Sequence, residues 1–323
     1  MKKKIALICN IRTITDPTNL GFEQQADFDD KETIDGIKNS IEDNGYEVFI
    51  VQEKLNPERE LEKKKSEIYL AFNFTEGDFV PRILEKLKFP YTSDAKIQKI
   101  IYDKNETKKI LQANNVSTAD WQLVKSENFE LKKTLKFPLI VKPNSHSSAI
   151  TNKSVVHNMN ELKNQIKNIF DQFSCKIIIE TFLSGREFSV GMLGNPPIIM
   201  PIIEADHSTL PADFPKIDSL EVKRMFEEED NNHLICPAKI TKTLEEKIHK
   251  LCLDARNGII HDYCRIDLRC DTESPYILEI NSPALIPPEV STTSYLPLMA
   301  RTIISHQKLI GIIIDETKKR YKI

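Results

Sequence analysis

The 323-residue chain has no C-x-x-C pair among its six cysteines and no cysteine spacing of the zinc type. A cysteine-based zinc module and a dithiol redox centre are therefore excluded. Several cysteines sit inside apolar runs, where a small buried thiol is the ordinary state, and a reducing compartment is expected. Long apolar runs are also missing. The start, Met1-Lys2-Lys3-Lys4-Ile5-Ala6-Leu7-Ile8-Cys9-Asn10, holds a five-residue apolar core. That is too short for a signal-peptide core and far too short to span a bilayer, so it reads as a first β-strand of a soluble, cytoplasmic protein. Neither sign of charge dominates: 45 Lys and Arg face 48 Asp and Glu, a net charge of −3, which argues against a dedicated nucleic-acid binder. The basic runs at 2–4, 63–65 and 318–320 are set among acidic residues and read as solvated faces. No G-x-G-x-x-G follows the first strand, so a dinucleotide fingerprint is lacking. There is no internal repeat, heptad pattern or low-complexity tract, which leaves little support for a purely structural interaction protein.

What is present is an alternation of strands and helices. Residues 5–9, 46–51 and 68–74 read as strands, and 31–44 and 80–87 as helices. Ile34, Ile37 and Ile41 carry the helical spacing, and Gly45 is a natural stop. This β-α order implies an open parallel sheet over residues 1–94. A second unit, 95–184, contains a charged amphipathic helix at 103–115, strands at 137–142, 154–157 and 176–182, and a helix at 161–173. A third, 185–323, holds strands at 187–193 and 198–203, a polar stretch at 204–232, a helix at 244–255, a hairpin at 265–281, and helices at 295–304 and 306–319. A stretch as long as 204–232 inside a compact domain is usually functional or disordered.

The hairpin carries the chemistry. Arg265-Ile266-Asp267-Leu268-Arg269 and Leu278-Glu279-Ile280-Asn281 read as strands joined by a polar turn, Cys270-Asp271-Thr272-Glu273-Ser274-Pro275. Residues two apart on a strand share a face, so Glu279 and Asn281 project together and can converge with Asp267 across the hairpin. Three oxygen ligands beside an arginine suit a hard cation such as Mg²⁺, which keeps open positions for phosphate oxygens. The pattern points to nucleotide chemistry.

These segments, together with Phe72-Asn73-Phe74-Thr75-Glu76-Gly77, Phe89-Pro90-Tyr91-Thr92, Asp103-Lys104, Pro138-Leu139-Ile140-Val141-Lys142-Pro143, Ile179-Glu180, Leu183-Ser184-Gly185-Arg186-Glu187-Phe188, Cys236-Pro237-Ala238 and Asn281-Ser282-Pro283, occur in a fixed order. In that order the chain resembles the ATP-grasp superfamily, in its D-alanine–D-alanine ligase-like branch. The resemblance implies a mixed α/β and α+β fold: an N-terminal Rossmann-like (pre-ATP-grasp) domain followed by two lobes that grip ATP. It implies ATP and two Mg²⁺ ions, with Mn²⁺ as a substitute, small amino-acid or peptide substrates, and a homodimer. Carried over residue by residue, Lys104 and Lys142 would face the phosphates. Glu180, Phe182 and Leu183 would lie at the adenine, and Glu187 at the ribose. Asp267, Glu279 and Asn281 would hold the metal. Arg265 would stabilise an oxyanion, Lys223 would contact the transferred phosphate from a mobile loop, and Ser148 would contact phosphate from the covering loop. Glu76, Ala284 and Ser291 would lie at the substrates. The reaction implied is ADP-forming ligation of a carboxylate to an amine through an acyl phosphate.

The chain departs from the pattern in three places. The loop after Lys142-Pro143, Asn144-Ser145-His146-Ser147-Ser148-Ala149-Ile150-Thr151, has no glycine, although glycine eases close approach of backbone N–H groups to phosphate. Arg224 stands where the family tends to carry tyrosine, and Ala284 where it favours glycine, so a narrowed pocket or a restricted backbone is expected. No Gly-Gly-x-Ser-x-Glu segment occurs near the N-terminus. The competing expectation is a catalytically silent ATP-binding protein on the same scaffold.

Overall fold

The computed structural model describes residues 2–14, 28–145, 151–212, 214–219, 221–222, 225–226, 233–257, 262–288 and 295–323. Three sheets organise them. The first is parallel, in the order β2-β1-β3, from β1 (Lys4–Cys9), β2 (Glu47–Gln52) and β3 (Ile68–Asn73). Alternation along β1 explains its central place. Ile5, Leu7 and Cys9 enter one apolar cluster and Ala6 and Ile8 another, as expected of a parallel strand buried on both faces. Helix α1 (Lys31–Asp43) opens on Asp30, whose carboxylate accepts the Thr33 amide at 2.6 Å, an N-cap that satisfies an orphan donor. It closes before Gly45, which adopts φ +90°. Helix α2 (Pro57–Lys63) makes the second crossover, and α3 (Phe79–Leu87) follows β3.

The second sheet is antiparallel, in the order β4-β7-β5-β6, from β4 (Trp121–Val124), β5 (Leu139–Pro143), β6 (Val155–Val156) and β7 (Ile177–Thr181). One face, Leu139, Val141, Ile177 and Ile179, packs on Leu162, Ile166 and Ile169 of α6 (Met159–Phe173). The period-2 rule sends Lys142 and Glu180 to the other face. Helices α4 (Ala95–Tyr102) and α5 (Lys104–Ala113) precede this sheet.

The third sheet runs β11-β10-β8-β12-β13 with β9 also on β8, from β8 (Glu187–Leu193), β9 (Ile198–Ile199), β10 (Ile203–Ala205), β11 (Leu234–Ile235), β12 (Tyr263–Asp271) and β13 (Ser274–Asn281). Phe188, Val190, Met192, Ile266 and Leu268 pack on Ile248 and Cys252 of α7 (Lys242–Asn257). The expected single strand at 198–203 is two, β9 and β10, paired to different parts of β8. Pro201, which has no N–H for a ladder, stands at the break.

Packing crosses the expected domain divisions twice. Ile97 and Leu111, from α4 and α5, join the core of the third sheet. After α8 (Tyr295–Ala300), helix α9 (His306–Tyr321) returns to the first sheet, where Leu309, Ile310, Ile313 and Ile314 join Ile5, Leu7 and Ile37. If α9 is integral to the first core, Ile313→Ala lowers unfolding free energy by about 2–5 kcal/mol. Urea unfolding of the full chain measures it, and a loss below about 0.5 kcal/mol would place α9 outside that core.

Candidate active site

The polar faces of the second and third sheets approach each other beside α5: Glu279 and Glu187 of the third sheet act on Lys142 of β5, and Lys104 of α5 lies 3.8 Å from Glu279. On the third sheet the antiparallel register sets Asp267 opposite Glu279 and Arg265 opposite Asn281 on one side, and Asp267 opposite Ser189 and Arg269 opposite Glu187 on the other. A register shift follows Asp267, so that Leu268 pairs with Ile277 and Leu278 is extra. The bulge lets the apolar partners Ile277 and Ile280 stay on the core side. The hairpin expected from the sequence thus gathers Arg265, Asp267, Glu279 and Asn281 on one face.

Asp267 is the hub. Its Oδ1 accepts from the Ser189 hydroxyl at 2.5 Å and from Arg265 Nε at 2.8 Å. Its Oδ2 accepts from Arg265 Nη2 at 2.8 Å and from the Asn281 amide at 2.8 Å. Four lone-pair sites therefore meet four donors. Burial acts to lower the Arg265 pKa, but the Asp267 charge and hydrogen bonds outweigh it and hold the guanidinium above its ordinary value. Arg265 also lies 5.0 Å from the Tyr295 ring centroid. Asn281 spends its amide nitrogen on Asp267, which leaves its amide oxygen as the donor for a cation. Glu279, a quarter exposed, has Lys104 at 3.8 Å. Two carboxylates and an amide oxygen on one face match the oxygen donors a hard dication selects, so these residues fit such an ion.

Glu187 and Arg269 form an ion pair at 3.3 Å. The Arg269 guanidinium stacks 5.0 Å from the Phe182 ring and donates to the Gly185 carbonyl at 2.9 Å. Leu183 is buried beside Phe182, whose N–H donates to the Pro138 carbonyl at 3.2 Å. The link between the second and third sheets is thereby fastened to β12.

On the second sheet, Glu180 has no exposed surface and meets two ammonium groups, Lys142 and Lys108, each at 3.0 Å. Burial pushes the Glu180 carboxyl up, yet Lys108 and Lys142 outweigh it and hold its pKa below the usual range. Burial also opposes the Lys142 charge, but Glu180, Glu279 and Glu187 raise its pKa on balance. For Lys104 and Lys108 burial wins, and both pKa values are lowered. Lys108 is the site residue the sequence reading missed. Its signal was its place one helical turn after Lys104, on the same face of α5.

Among the remaining expected residues, Glu76 lies at the rim of a cleft lined also by Lys104, Glu279, Asn281 and Pro283. Ala284 does not narrow that cleft. Its methyl group is buried in the core shared by the first and third sheets, at 1% exposure. Ser148, Lys223 and Ser291, with His146 and Arg224, lie outside the described residues. In the polar segment after β10, Glu221 accepts the Asn152 N–H at 3.0 Å and Ser219 donates to the Asn152 side chain at 2.7 Å. The polar segment after β10 therefore touches the second sheet's unit.

Removing the Glu180 charge leaves two buried ammonium groups facing each other, so Glu180→Gln destabilises the chain by about 3–5 kcal/mol at pH 7. The folded pKa of Glu180 lies below its ordinary 4.5. Its stabilisation is therefore complete above that pH and is lost as pH falls through the folded value. Urea unfolding across this acid range should show the loss in the wild type and not in Glu180→Gln.

Comparison with known proteins gives the site its family. The family model described as D-ala D-ala ligase C-terminus matches residues 110–315. D-alanine–D-alanine ligase A of Bacillus cereus is 31% identical over 292 residues, covering 86% of this chain and 90% of that ligase. The D-alanine–D-alanine ligase of Aquifex aeolicus is 28% identical over 286 residues, covering 86% and 92%. The crystal structure of the Bacillus anthracis D-alanine–D-alanine ligase complexed with ATP superposes with a TM-score of 0.76 at 24% identity, covering 99% of each chain, a likeness of fold. The chain belongs to the D-alanine–D-alanine ligase family of ATP-grasp enzymes, ATP-dependent ligases that form C–N bonds.

Proposed function

We propose that this chain joins two small amino acids, or an amino acid and a short peptide, by ATP-dependent, ADP-forming ligation through an acyl phosphate. The single observation that carries the reading is one sheet face holding Arg265, Asp267, Glu279 and Asn281 in register, opposite the buried lysines of α5 and β5. Curated relatives named D-alanine–D-alanine ligase make small D-amino acids the first substrates to try.

In this reading Lys104 and Lys142 neutralise the ATP phosphates, with Lys108 and Glu180 fixing the Lys142 ammonium. The neighbourhood of Glu180, Phe182 and Leu183 takes the adenine, and Glu187, turned from Arg269, takes the ribose hydroxyls. Asp267, Glu279 and the Asn281 amide oxygen hold Mg²⁺, two ions by family expectation, which when bound supply charge neutralisation at the phosphates. Arg265, clamped by Asp267, aims a fixed cation at the oxyanion that develops when the amine attacks the acyl phosphate. The amine nitrogen bonds to the acyl carbon, the C–O bond to phosphate breaks, and the amine's proton is lost to solvent or base. Exclusion of water protects the acyl phosphate from hydrolysis. Glu76 borders the first substrate, Ser291 the second, and Lys223 and Ser148 close over the phosphates. We further propose divisions after residues 94 and 184, and a homodimer.

The test is phosphate release from Mg-ATP against pools of D- and L-amino acids and short peptides, with mass spectrometry of the mixtures. The expected result is pool-dependent release with a product mass equal to two components minus water. Asp267→Ala and Glu279→Ala should abolish turnover with the fold retained, and Arg265→Met should lower kcat by about 10²–10³-fold. Undiminished turnover in both carboxylate variants would sink the assignment.

A further inference from the structure

Three side chains that the ligase reading does not use meet where the polar segment after β10 flanks the edge of the third sheet. His207 follows β10 and His233 precedes β11, and these two strands pair, Glu204 with Ile235 and Ala205 with Leu234. The Asp206 N–H donates to the His233 carbonyl at 2.8 Å, which extends that ladder to the histidines. Asp218 comes from the segment between them. One ligand atom from each of the three lies within 4.8 Å of the others. Both imidazoles are buried, at 7% and 4% exposure. Each has a ring nitrogen without a hydrogen-bond partner among the described residues, Nε2 of His207 and Nδ1 of His233. An unsatisfied buried polar atom costs about 1–3 kcal/mol, and two in one cluster call for a ligand.

We propose that His207, Asp218 and His233 bind one borderline transition-metal dication, of the zinc class, and that this ion clasps the polar segment to the edge of the third sheet. Two imidazoles and a carboxylate make an N₂O donor set. That set suits zinc and its neighbours rather than Mg²⁺, which takes oxygen donors. Ligating histidine must be neutral. Burial, foremost, pushes the His207 pKa down to about 4, so no proton has to leave it at neutral pH. Bonds of ~2.0–2.1 Å in a tetrahedron place ligand atoms about 3.4 Å apart, inside the 4.8 Å within which the three now lie, and water completes the coordination. The Arg269 guanidinium, which bears on His207 electrostatically, is already matched by Glu187.

Supporting contacts of the kind that orient metal ligands are in place. The Tyr295 hydroxyl donates to Asp218 Oδ2. The His233 ring stacks on Phe226 at 4.2 Å. Its Nε2 lies 2.9 Å from Asp218 Oδ1, so two of the ligands already face each other. The ring of Tyr295 also packs against Arg265. The ion's carboxylate ligand is thus one residue removed from the guanidinium of the ligase site, and loading the ion would stiffen the segment beside it.

The probe is Co²⁺, with Zn²⁺ in competition, titrated into the purified full-length protein after chelator treatment, in excess Mg²⁺ so that the oxygen-donor site is occupied. The expected result is one Co²⁺ per chain. It should give the strong visible band of four-coordinate, nitrogen-ligated cobalt, displaced by one equivalent of Zn²⁺. His207→Gln and His233→Gln should weaken binding by about 100-fold or more, while Asp267→Asn leaves it intact. The wild-type spectrum stands whether or not a histidine variant folds. No bound ion, a weak octahedral spectrum, or binding that depends on Asp267 and ignores both histidines would overturn the proposal.

Discussion

One buried carboxylate ties the molecule together. Glu180 ends the apolar run of β7 with no exposed surface, where an unpaired charge would cost several kcal/mol. It is paid for by two ammonium groups, Lys142 from the neighbouring strand and Lys108 from α5. Lys108 in turn donates to the Thr118 hydroxyl at 2.8 Å, and Thr118 donates to the Ile277 carbonyl of β13 at 2.7 Å. The apolar side of α5 is sunk in the core of the third sheet. A single acid thus links the second sheet, the helix and the third sheet.

The same logic of pre-paired charge runs through the cleft. Arg265 rests on Asp267, Arg269 on Glu187, and Lys104 near Glu279. Each of these charged groups already has an opposite charge beside it, so it sits in place before any ligand arrives. Ligand binding then exchanges partners instead of ordering free side chains, which is the preorganisation that electrostatic catalysis requires. Burial favours this arrangement, since charges cluster in the cleft only when each is compensated.

Much of the framework was legible in the chain. The strands of the first sheet, α1, α6 and the 265–281 hairpin carry strong apolar periodicity, and ordered short motifs carried the family. What escaped had weak local signal. Strand β4 buries only Val124 fully, so alternation is invisible there. Helix α2 spans seven mostly charged residues. Helix α4 owes its start to Asp94, which caps the amides of Lys96 and Ile97, between segments with stronger patterns. The break between β9 and β10 turns on Pro201, and the burial of Ala284 on which side of a turn faces the core.

By itself, the sequence determined most element types, the face each hydrophobic side chain seeks, and the shared face of Glu279 and Asn281, because these follow from spacings of two and 3.6 residues along one short segment. The pairing of Asp267 with Glu279 was set by a bulge seen only in the structure. Only the tertiary structure decided that Lys108 belongs to the site, that α9 closes the first core 300 residues after β1, and that His207, Asp218 and His233 meet. Those contacts join residues far apart in the chain, and a local period carries no information about which distant face will cover a given surface.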